Sequence, residues 1–431
     1  LSLSLFHDPL FWAGLSALFL AGALLAGLYP AFVLSSFKPV QVLKGKFSEH
    51  GRGLFMRKIL VVFQFTASVA LIAGTFLIHS QLRYMRKMDL GVDIEQKMVL
   101  LGPGVYTDTT FREVFRTFKN EANRIPGIDM LTSSSNIPGD EIFWASGIKR
   151  VDEDEGRGVI YAVGMDEDYL PSFDIELLAG RNFSPEFGTE ELAVILNKSG
   201  TEFLGYETPE DAIGQLVQFH GEDRHIVGVI ADYHQMSLKQ EPIPLIYRYY
   251  PAMQAFFAMK VDPKQLDQSM AQLEKVWDRF FHGNPFDTFF LDDFYDRQYR
   301  IEKQLNAAVG FFALIAILIA ALGLFGLSSY TTLQRTKEIG IRKVNGAGSG
   351  RILLLLCRDY LRLIVLAVFI ASPLTWWFIR NWLDSYPYRI PILWWVFPVA
   401  GILALILALA AVSIQTIRAA NRNPSHSLKY E

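Results

Sequence analysis

Residues that could perform catalysis are few in this chain, and their spacing does not match a catalytic or metal-binding motif. Four histidines, His220, His225, His234 and His282, lie between residues 83 and 303. None of them is spaced as in HExxH or another close ligand pattern. The same stretch contains no GxSxG motif and no cysteine, so it lacks the nucleophiles typical of hydrolases. The sequence therefore predicts a protein that is not an enzyme.

The sequence also lacks a nucleotide-binding motif of its own. Residues 346–351 are glycine-rich, but the lysine and the preceding strand of a phosphate-binding loop are missing. Cys357 is the only cysteine, so no intrachain disulfide can form. The 41 basic and 44 acidic residues leave no positive excess that would favour nucleic acid. We therefore expect no metal and no cofactor in this chain, and no nucleic-acid partner.

The most informative charged residues lie in a short loop at residues 334–347, which reads QRTKEIGIRKVNGA. The loop is compatible with a helix apart from Gly340. By itself, such a loop is a solvated connector whose basic residues lie near lipid headgroups. It follows one long apolar segment and precedes two others, so the elements that position it are expected to be membrane helices.

Five segments are long and apolar enough to cross a bilayer, which requires about 20 residues in a helix. Apolar residues make up 51% of the chain and are concentrated in these segments. Their helical cores are expected at residues 10–34, 59–80, 306–332, 360–380 and 391–417. The sequence therefore predicts a multi-spanning α-helical membrane protein with five transmembrane helices.

Basic residues in the short loops indicate the orientation of these helices, because such residues favour the cytoplasmic side. Residues 38–58 hold six basic residues and one glutamate, and residues 335–351 hold five basic residues and one glutamate. Both segments and the basic C-terminal tail should therefore face the cytoplasm. Residues 83–303 are then expected outside the cytoplasm. The tryptophans expected at the outer interface are Trp376, Trp377, Trp382, Trp394 and Trp395.

Residues 83–303 have the pattern of an α+β domain. Apolar side chains recur at helical spacing in residues 109–124 and 263–281. Seven strands are expected, at residues 97–101, 128–134, 158–164, 193–197, 224–230, 245–249 and 255–261. Polar helical stretches at 79–90 and 292–304 join this domain to the second and third spans, and we expect each to continue unbroken into its span as a stiff strut.

The two ends of the chain share a short motif. Residues 36–44 read SFKPVQVLK and residues 422–429 read RNPSHSLK, so both place Leu-Lys four and five residues after a proline. Each motif follows a span that enters the cytoplasm. We interpret the repeat as a duplicated unit whose first copy contributes only residues 1–45.

The segment at residues 337–347, KEIGIRKVNGA, resembles the signature of the FtsX/MacB-like ABC transporter permeases. Further similar segments lie at residues 168–170, 179–183, 195–197, 213–215 and 226–234, and in the two Pro-x-x-x-Leu-Lys endings. The resemblance covers nearly the whole chain. It is to the duplicated, eight-span members, entered here at the fourth span. Asn345 departs from the pattern, since the family often has an apolar residue there.

The resemblance implies a permease subunit that binds a separate cytoplasmic ABC ATPase dimer, so that ATP is bound by the partner. The charged loop would be the coupling helix seated in a groove of that ATPase. Its residues are Lys337, Glu338, Ile339, Gly340, Ile341, Arg342, Lys343, Gly346 and Ala347. ATPase closure would then change the shape of the outer domain, for export or extraction of a substrate. The alternative is a membrane-anchored, mechanotransmitting regulator of a cell-wall hydrolase or sensor kinase.

The resemblance also divides the chain into four parts. Residues 1–45 would be the last span and cytoplasmic end of a first FtsX-like unit, and 46–82 a cytoplasmic linker with a transmembrane helix. Residues 83–303 would be a MacB-like core domain with helical struts, and 304–431 a C-terminal FtsX-like permease domain with three spans. The implied location is the bacterial cytoplasmic (inner) membrane, in contact with lipid. A periplasmic or outer-membrane partner and pairing with a second permease copy stay open.

Overall fold

The computed structural model describes residues 9–35, 52–104, 110–334, 338, 341–342, 345 and 348–420. The chain divides into two units, Leu1–Leu60 and Val61–Glu431. Helix α1, Pro9–Ser35, lies in the first unit. Helix α2, Arg52–Lys87, begins in the first unit, and its residues from Val61 onwards belong to the second.

Residues 88–299 form a domain of strands and short helices, here called the α+β domain. Its strands are β1 (Lys97–Leu101), β2 (Ile128–Ser134), β3 (Ala145–Arg150), β4 (Gly158–Met165), β5 (Leu177–Gly180), β6 (Ala193–Asn197), β7 (Leu216–Phe219), β8 (Glu222–Ile230), β9 (Leu245–Tyr249), β10 (Phe256–Val261) and β11 (Thr288–Phe290). Its helices are α3 (Phe111–Ala122), α4 (Tyr169–Ser172), α5 (Lys198–Phe203), α6 (Pro209–Ala212), α7 (Leu266–Phe280) and α8 (Leu291–Asp296). Two single 3₁₀ turns lie at Glu190–Leu192 and Arg297–Tyr299.

One half of the α+β domain is an antiparallel sheet in the order β11-β1-β10-β2, with α3 and α7 packed on one face. Strand alternation separates the two faces: Met98 and Leu100 point towards the helices, while Val99 joins the core on the other side. Between the helices, the rings of Phe118 and Trp277 meet edge to face at 5.9 Å, and neither side chain is exposed. This aromatic layer fixes the helices on the sheet.

The other half is a closed ring of six strands in the order β4-β3-β7-β8-β6-β9, in which β9 pairs back with β4. The single pairing of Ser134 with Met165 connects this barrel to the sheet. Apolar side chains fill the barrel interior, among them Ile160, Ala162, Val194, Leu196, Val217, Phe219, Ile226 and Ile246. A closed ring leaves no free strand edge, so the barrel is a rigid body within the domain.

Three long helices complete the second unit: α9 (Arg300–Gln334), α10 (Ser349–Leu383) and α11 (Val396–Ala420). Helices α2, α9, α10 and α11 share one apolar core that is rich in alanine. Its buried alanines are Ala73, Ala313, Ala320, Ala367, Ala371, Ala400, Ala404 and Ala408. Small side chains let neighbouring helices approach closely, as is usual for helices that pack in a membrane.

Three stretches are long and apolar enough to cross a bilayer: Phe55–Lys87, Leu291–Thr332 and Arg358–Leu383. Two further apolar helices, Pro9–Leu24 and Val396–Ala410, are shorter over the residues that the structure describes. The chain is thus a membrane protein with a folded α+β domain, and the count of five spans stays a prediction. All five helices expected from the apolar segments are present.

The structure corrects two expectations about the α+β domain. Its described residues form eleven strands where the sequence predicted seven, because β5, β7 and β11 hold only three or four residues and β3 has one fully buried side chain, Ile148. Such strands form through pairing with neighbours and carry little alternation of their own. The strut leading into α9 is also not one unbroken α-helix, since a 3₁₀ turn at Arg297–Tyr299 joins α8 to α9.

Candidate coupling segment and junction

The segment between α9 and α10, residues 335–348, contains all the residues predicted to contact an ATPase and is here called the coupling segment. The structure describes three of them, Glu338, Ile341 and Arg342, all with helical backbone. The predicted residues outside the described part are Lys337, Ile339, Gly340, Lys343, Gly346 and Ala347.

The described side chains of the coupling segment are exposed, and two of them form an ion pair. The Arg342 guanidinium lies 2.8 Å from the Glu338 carboxylate, with 48% and 44% of the side chains exposed. An exposed pair of this spacing contributes only a few tenths of a kcal/mol to the helix. Ile341 lies between them in sequence and is 56% exposed. The backbone N–H of Asn345 donates to the Ile341 carbonyl at 3.1 Å.

Helices α9 and α10 meet directly beside the coupling segment. The hydroxyl of Tyr360 on α10 donates to the hydroxyl oxygen of Thr331 on α9 at 3.4 Å. Gly348 caps the start of α10, and its carbonyl accepts the backbone N–H of Arg351 at 3.0 Å. A displacement of the coupling segment would therefore act on both helices at once.

At the opposite end of α9, the α+β domain meets the long helices in a region that we call the junction. It comprises the ends of α2 and α9, the loop at 231–244 and the loop at 384–395. A buried apolar cluster, Leu82, Met85, Leu238, Tyr295, Tyr299 and Tyr386, forms its centre. Ion pairs surround this cluster: Asp296 accepts from Arg86 on α2 at 3.0 Å and from Lys303 on α9 at 2.9 Å.

Glu302 is the most buried acidic residue of the junction. Its carboxylate lies 2.6 Å from the Lys239 ammonium, which also donates to the Gln298 carbonyl at 3.2 Å. The Tyr386 hydroxyl donates to Glu302 at 3.4 Å. Burial and the neighbouring Glu302 charge raise the pKa of Tyr386, so its hydroxyl keeps its proton and stays a donor. Glu302 thus joins α9 to the loop at 231–244 and to the loop at 384–395.

Gln81 on α2 holds the loop at 384–395 through both ends of its amide. Its side-chain nitrogen donates to the Tyr388 carbonyl at 2.8 Å, and its oxygen accepts the Ile390 backbone N–H at 2.9 Å. The Gln81 side chain is completely buried. Because water does not reach these buried groups, the two bonds satisfy polar atoms that would otherwise lack a partner. Breaking them is costly, so they hold α2 and the loop together.

The loop at 231–244 is fixed on the strut by two tyrosines. The Tyr299 hydroxyl accepts the Leu238 backbone N–H at 3.1 Å, and the Tyr295 hydroxyl donates to the His234 carbonyl at 3.1 Å. The imidazole of His234 meets the Tyr388 ring edge to face at 5.0 Å. Burial lowers the pKa of His234 although Asp232 and Asp89 lie nearby, so the ring is neutral near pH 7.

The sequence did not identify the junction residues as functional. Gln81 and Glu302 carry a visible signal, since each is a polar residue in a helix that continues into an apolar segment. Their partners are not visible from the sequence, because Tyr388 lies 307 residues from Gln81. In the described part of the chain, no group of three or more His, Cys, Asp or Glu residues is placed to hold a metal ion.

The solved structures that are similar to this chain include a periplasmic region and an extracellular domain. The periplasmic region of MacB from Actinobacillus actinomycetemcomitans has 12% identity and a TM-score of 0.34, and the match covers 49% of this chain and 94% of that one. The extracellular domain of the ABC-type transporter YknZ from Gram-positive bacteria has 15% identity and a TM-score of 0.32, covering 44% of this chain and 97% of that one. Both TM-scores lie below 0.5, so neither likeness carries an argument about this chain.

No curated protein matches the chain. The match to a family concerns the C-terminal part, which contains most of α9, the coupling segment, α10 and α11. Residues 310–424 match the family described as FtsX-like permease C-terminal. The resemblance predicted from the sequence is thereby confirmed: residues 310–424 are similar to the C-terminal part of the FtsX-like permeases.

Proposed function

We propose that this chain is the permease subunit of an ABC-type complex, in which a separate cytoplasmic ATPase moves the coupling segment and thereby the α+β domain. The observation that carries the proposal is helix α9. It has 35 residues and is therefore about 52 Å long. It connects the coupling segment to the junction without interruption. A displacement at one end can thus reach the α+β domain as the movement of one rigid helix.

The coupling segment has the surface expected of a docking element. Ile341 offers an exposed apolar side chain, and the ion pair between Glu338 and Arg342 holds two charges in a fixed position. An apolar contact inside a charged rim is the usual composition of a protein interface. We propose that Lys337, Ile339, Gly340, Lys343, Gly346 and Ala347 belong to the same surface, which would dock on an ATPase dimer that binds the ATP.

The proposal includes an orientation and a location. Five spans in the bacterial cytoplasmic membrane, with the coupling segment inside, would place the α+β domain outside the cytoplasm. The excess of basic residues at 38–58 and 335–351 supports this orientation. Exposed tryptophans at Trp376, Trp377, Trp394 and Trp395 would then lie at the outer lipid interface.

We propose that this movement exports or extracts a substrate. A rigid helix that ends on a folded domain supports transmission of movement more directly than it supports a pore. The same transmission would also serve a regulator that activates a cell-wall hydrolase or signals to a sensor kinase. A second permease copy and a periplasmic or outer-membrane partner are compatible with either role.

The test is a charge exchange within the coupling segment. Glu338→Lys combined with Arg342→Glu preserves an ion pair at the same spacing and reverses both charges that face a partner. We expect the wild-type chain to retain a co-expressed ATPase encoded beside it during purification. The exchanged variant should lose most of that ATPase while inserting in the membrane normally.

A matched control reverses another exposed ion pair of the second unit. Asp384 and Arg389 pair in the loop at 384–395, with 50% of each side chain exposed. Asp384→Arg combined with Arg389→Asp should leave ATPase retention unchanged. If wild type retains no ATPase, or if both exchanged variants retain it equally, the coupling assignment is wrong. An anchored regulator without ATP drive would then be favoured.

A further inference from the structure

One end of the barrel of the α+β domain holds two arginines and one nearby carboxylate, that of Glu222, so it carries an excess of positive charge. Along β8 and β9, inward-facing positions are apolar until the last layer, where Arg224 and Arg248 replace the aliphatic residues. Trp144, just before β3, and His220, in the turn between β7 and β8, lie at the same end. We call this end the barrel mouth.

The two arginines of the barrel mouth differ in their partners. Arg224 is only 3% exposed, and it donates to the Glu191 carbonyl at 2.7 Å and to the Glu222 carboxylate at 2.5 Å. Arg248 is half-buried, and its guanidinium lies over the Trp144 ring at 5.3 Å. Within the residues that the structure describes, no acceptor or carboxylate pairs with Arg248, and its buried Nε has no hydrogen-bond partner.

The barrel mouth concentrates positive charge at a partly buried position. Burial, followed by the like charge of Arg224, lowers the pKa of the Arg248 guanidinium. An arginine nevertheless stays charged at neutral pH. Arg248 is therefore an unpaired cation that has lost part of its hydration, which costs folding free energy. A guanidinium in this position has five N–H donors in a planar fork, which fits a carboxylate or a phosphate.

The rim beside Arg248 is apolar and partly open. Trp144 is 51% exposed although Arg248 and His220 both contact its ring, and the preceding Phe143 is 83% exposed. His220 adopts a positive φ of 55° in the two-residue turn that it forms with Gly221. Positive φ at both residues is what a two-residue hairpin turn of this kind requires, and the turn holds the His220 ring against the Trp144 ring.

We propose that the barrel mouth binds a small amphipathic organic anion, whose carboxylate or phosphate pairs with Arg248 and whose apolar part contacts Trp144 and Phe143. The site is distinct from the junction. Arg224 lies near the start of β8 and Ile230 is its last residue, directly before the loop at 231–244. At about 3.3 Å per residue, the mouth lies roughly 20 Å along the strand from that loop. Bound anion would therefore contact the α+β domain and not the spans.

The experiment uses 2-naphthoate as the probe and 2-naphthamide as its neutral counterpart, with binding to the full chain in lipid nanodiscs measured by calorimetry. We expect 2-naphthoate to bind and 2-naphthamide to bind at least tenfold more weakly. Inorganic phosphate should compete with 2-naphthoate, at higher concentration because it lacks the apolar part. Empty nanodiscs correct for partition of the probe into lipid.

Arg248→Gln should weaken 2-naphthoate binding roughly tenfold to a hundredfold, since one charge-assisted contact is lost. Arg248→Lys, which keeps the charge, should weaken it less. The matched control is Arg150→Gln: Arg150 also lies over an aromatic ring, Tyr206, at 4.8 Å, but Asp152 already pairs with it at 2.6 Å. That variant should bind 2-naphthoate as wild type does.

Three results would overturn the proposal: no binding of 2-naphthoate at millimolar concentration, equal binding of the acid and the amide, or equal loss of binding in the Arg248 and Arg150 variants. Circular dichroism of each variant establishes that the α+β domain is folded. If Arg248→Gln does not fold, Trp144→Leu provides the second variant. It should weaken 2-naphthoate binding about threefold to tenfold and leave phosphate competition unchanged, and unchanged naphthoate affinity would contradict the proposal.

Discussion

The two ends of helix α9 are built in opposite ways. At the junction, Glu302 and Gln81 are buried and their hydrogen bonds are made within the chain. Among the described residues of the coupling segment, Glu338, Ile341 and Arg342 are exposed, and one ion pair joins Glu338 to Arg342. The junction is therefore stable by itself, whereas the coupling segment presents groups whose burial needs another molecule. This difference is what a transmitting helix requires, because one end must hold firmly and the other must be available for binding.

The largest effect on stability is expected from Gln81→Leu. The variant keeps the volume of the side chain but leaves the Tyr388 carbonyl and the Ile390 N–H buried without a partner. Each such group costs about 1–3 kcal/mol, so the loop at 384–395 should be destabilised by about 2–6 kcal/mol. Hydrogen exchange of the Ile390 amide measures this directly, since loss of protection reports local opening.

The matched control for this variant is Gln64→Leu on the same helix. The side-chain oxygen of Gln64 lacks a hydrogen-bond partner among the described residues and lies against Gly323 of α9. Replacement by leucine should change stability by less than about 0.5 kcal/mol or stabilise the helices, because no intrachain bond is lost. Equal destabilisation by both variants would show that the amide contacts of Gln81 do not hold the junction.

A smaller effect is expected from Glu302→Gln. The variant keeps the shape but removes the charge that pairs with Lys239, whose side chain is 28% exposed. Because Lys239 can turn partly towards water, the loss should be about 1–3 kcal/mol, less than for a completely buried pair. Urea denaturation of the chain in nanodiscs gives the free energy of unfolding.

Glu121→Gln is the control for Glu302→Gln. Glu121 pairs with Arg279 at 2.5 Å, but the two side chains are 33% and 60% exposed. Exposed pairs contribute about 0–1 kcal/mol, and salt weakens them. If Glu302→Gln costs no more than Glu121→Gln, the junction is held by its apolar cluster and not by its charges.

Much of the fold could be predicted from the sequence, because long apolar segments and alternating strands are local patterns. The bounds of β1, β2, β6 and β9 agree with the prediction residue for residue. The closure of the barrel could not be predicted, since it depends on β3, which has one fully buried side chain, on β7, which holds four residues, and on the pairing of β9 with β4. Such pairings are long-range and leave no periodic signal in a single sequence.

The coupling segment could be identified from the sequence, whereas the junction and the barrel mouth could not. The residues of the coupling segment are contiguous, so the resemblance to a known family identified them, and the spacing of Glu338 and Arg342 fits an ion pair along a helix. The junction joins residues from four separate parts of the chain, such as Lys239 with Glu302 and Gln81 with Tyr388. The barrel mouth likewise depends on Arg248 and Trp144 meeting through the strand pairing. Polar residues of this kind are recognised only when the fold is known.

The smallest effect on stability, and the most informative for the comparison, is expected from Ile341→Ala. Its side chain is already 56% exposed, so the free energy of unfolding should change by less than about 0.5 kcal/mol. If the side chain is buried by an ATPase, however, its truncation should weaken that complex by about 1–3 kcal/mol, or roughly fivefold to a hundredfold.

Ile301→Ala is the control. Ile301 lies at the junction end of α9 and is 72% exposed, so its truncation should change neither the free energy of unfolding nor the affinity for the ATPase. Titration of the ATPase on the chain in nanodiscs measures the affinity of each variant. A loss of affinity confined to Ile341→Ala would place the binding end of α9 at the coupling segment, whereas equal affinities would mean that Ile341 faces solvent or lipid in the assembled complex.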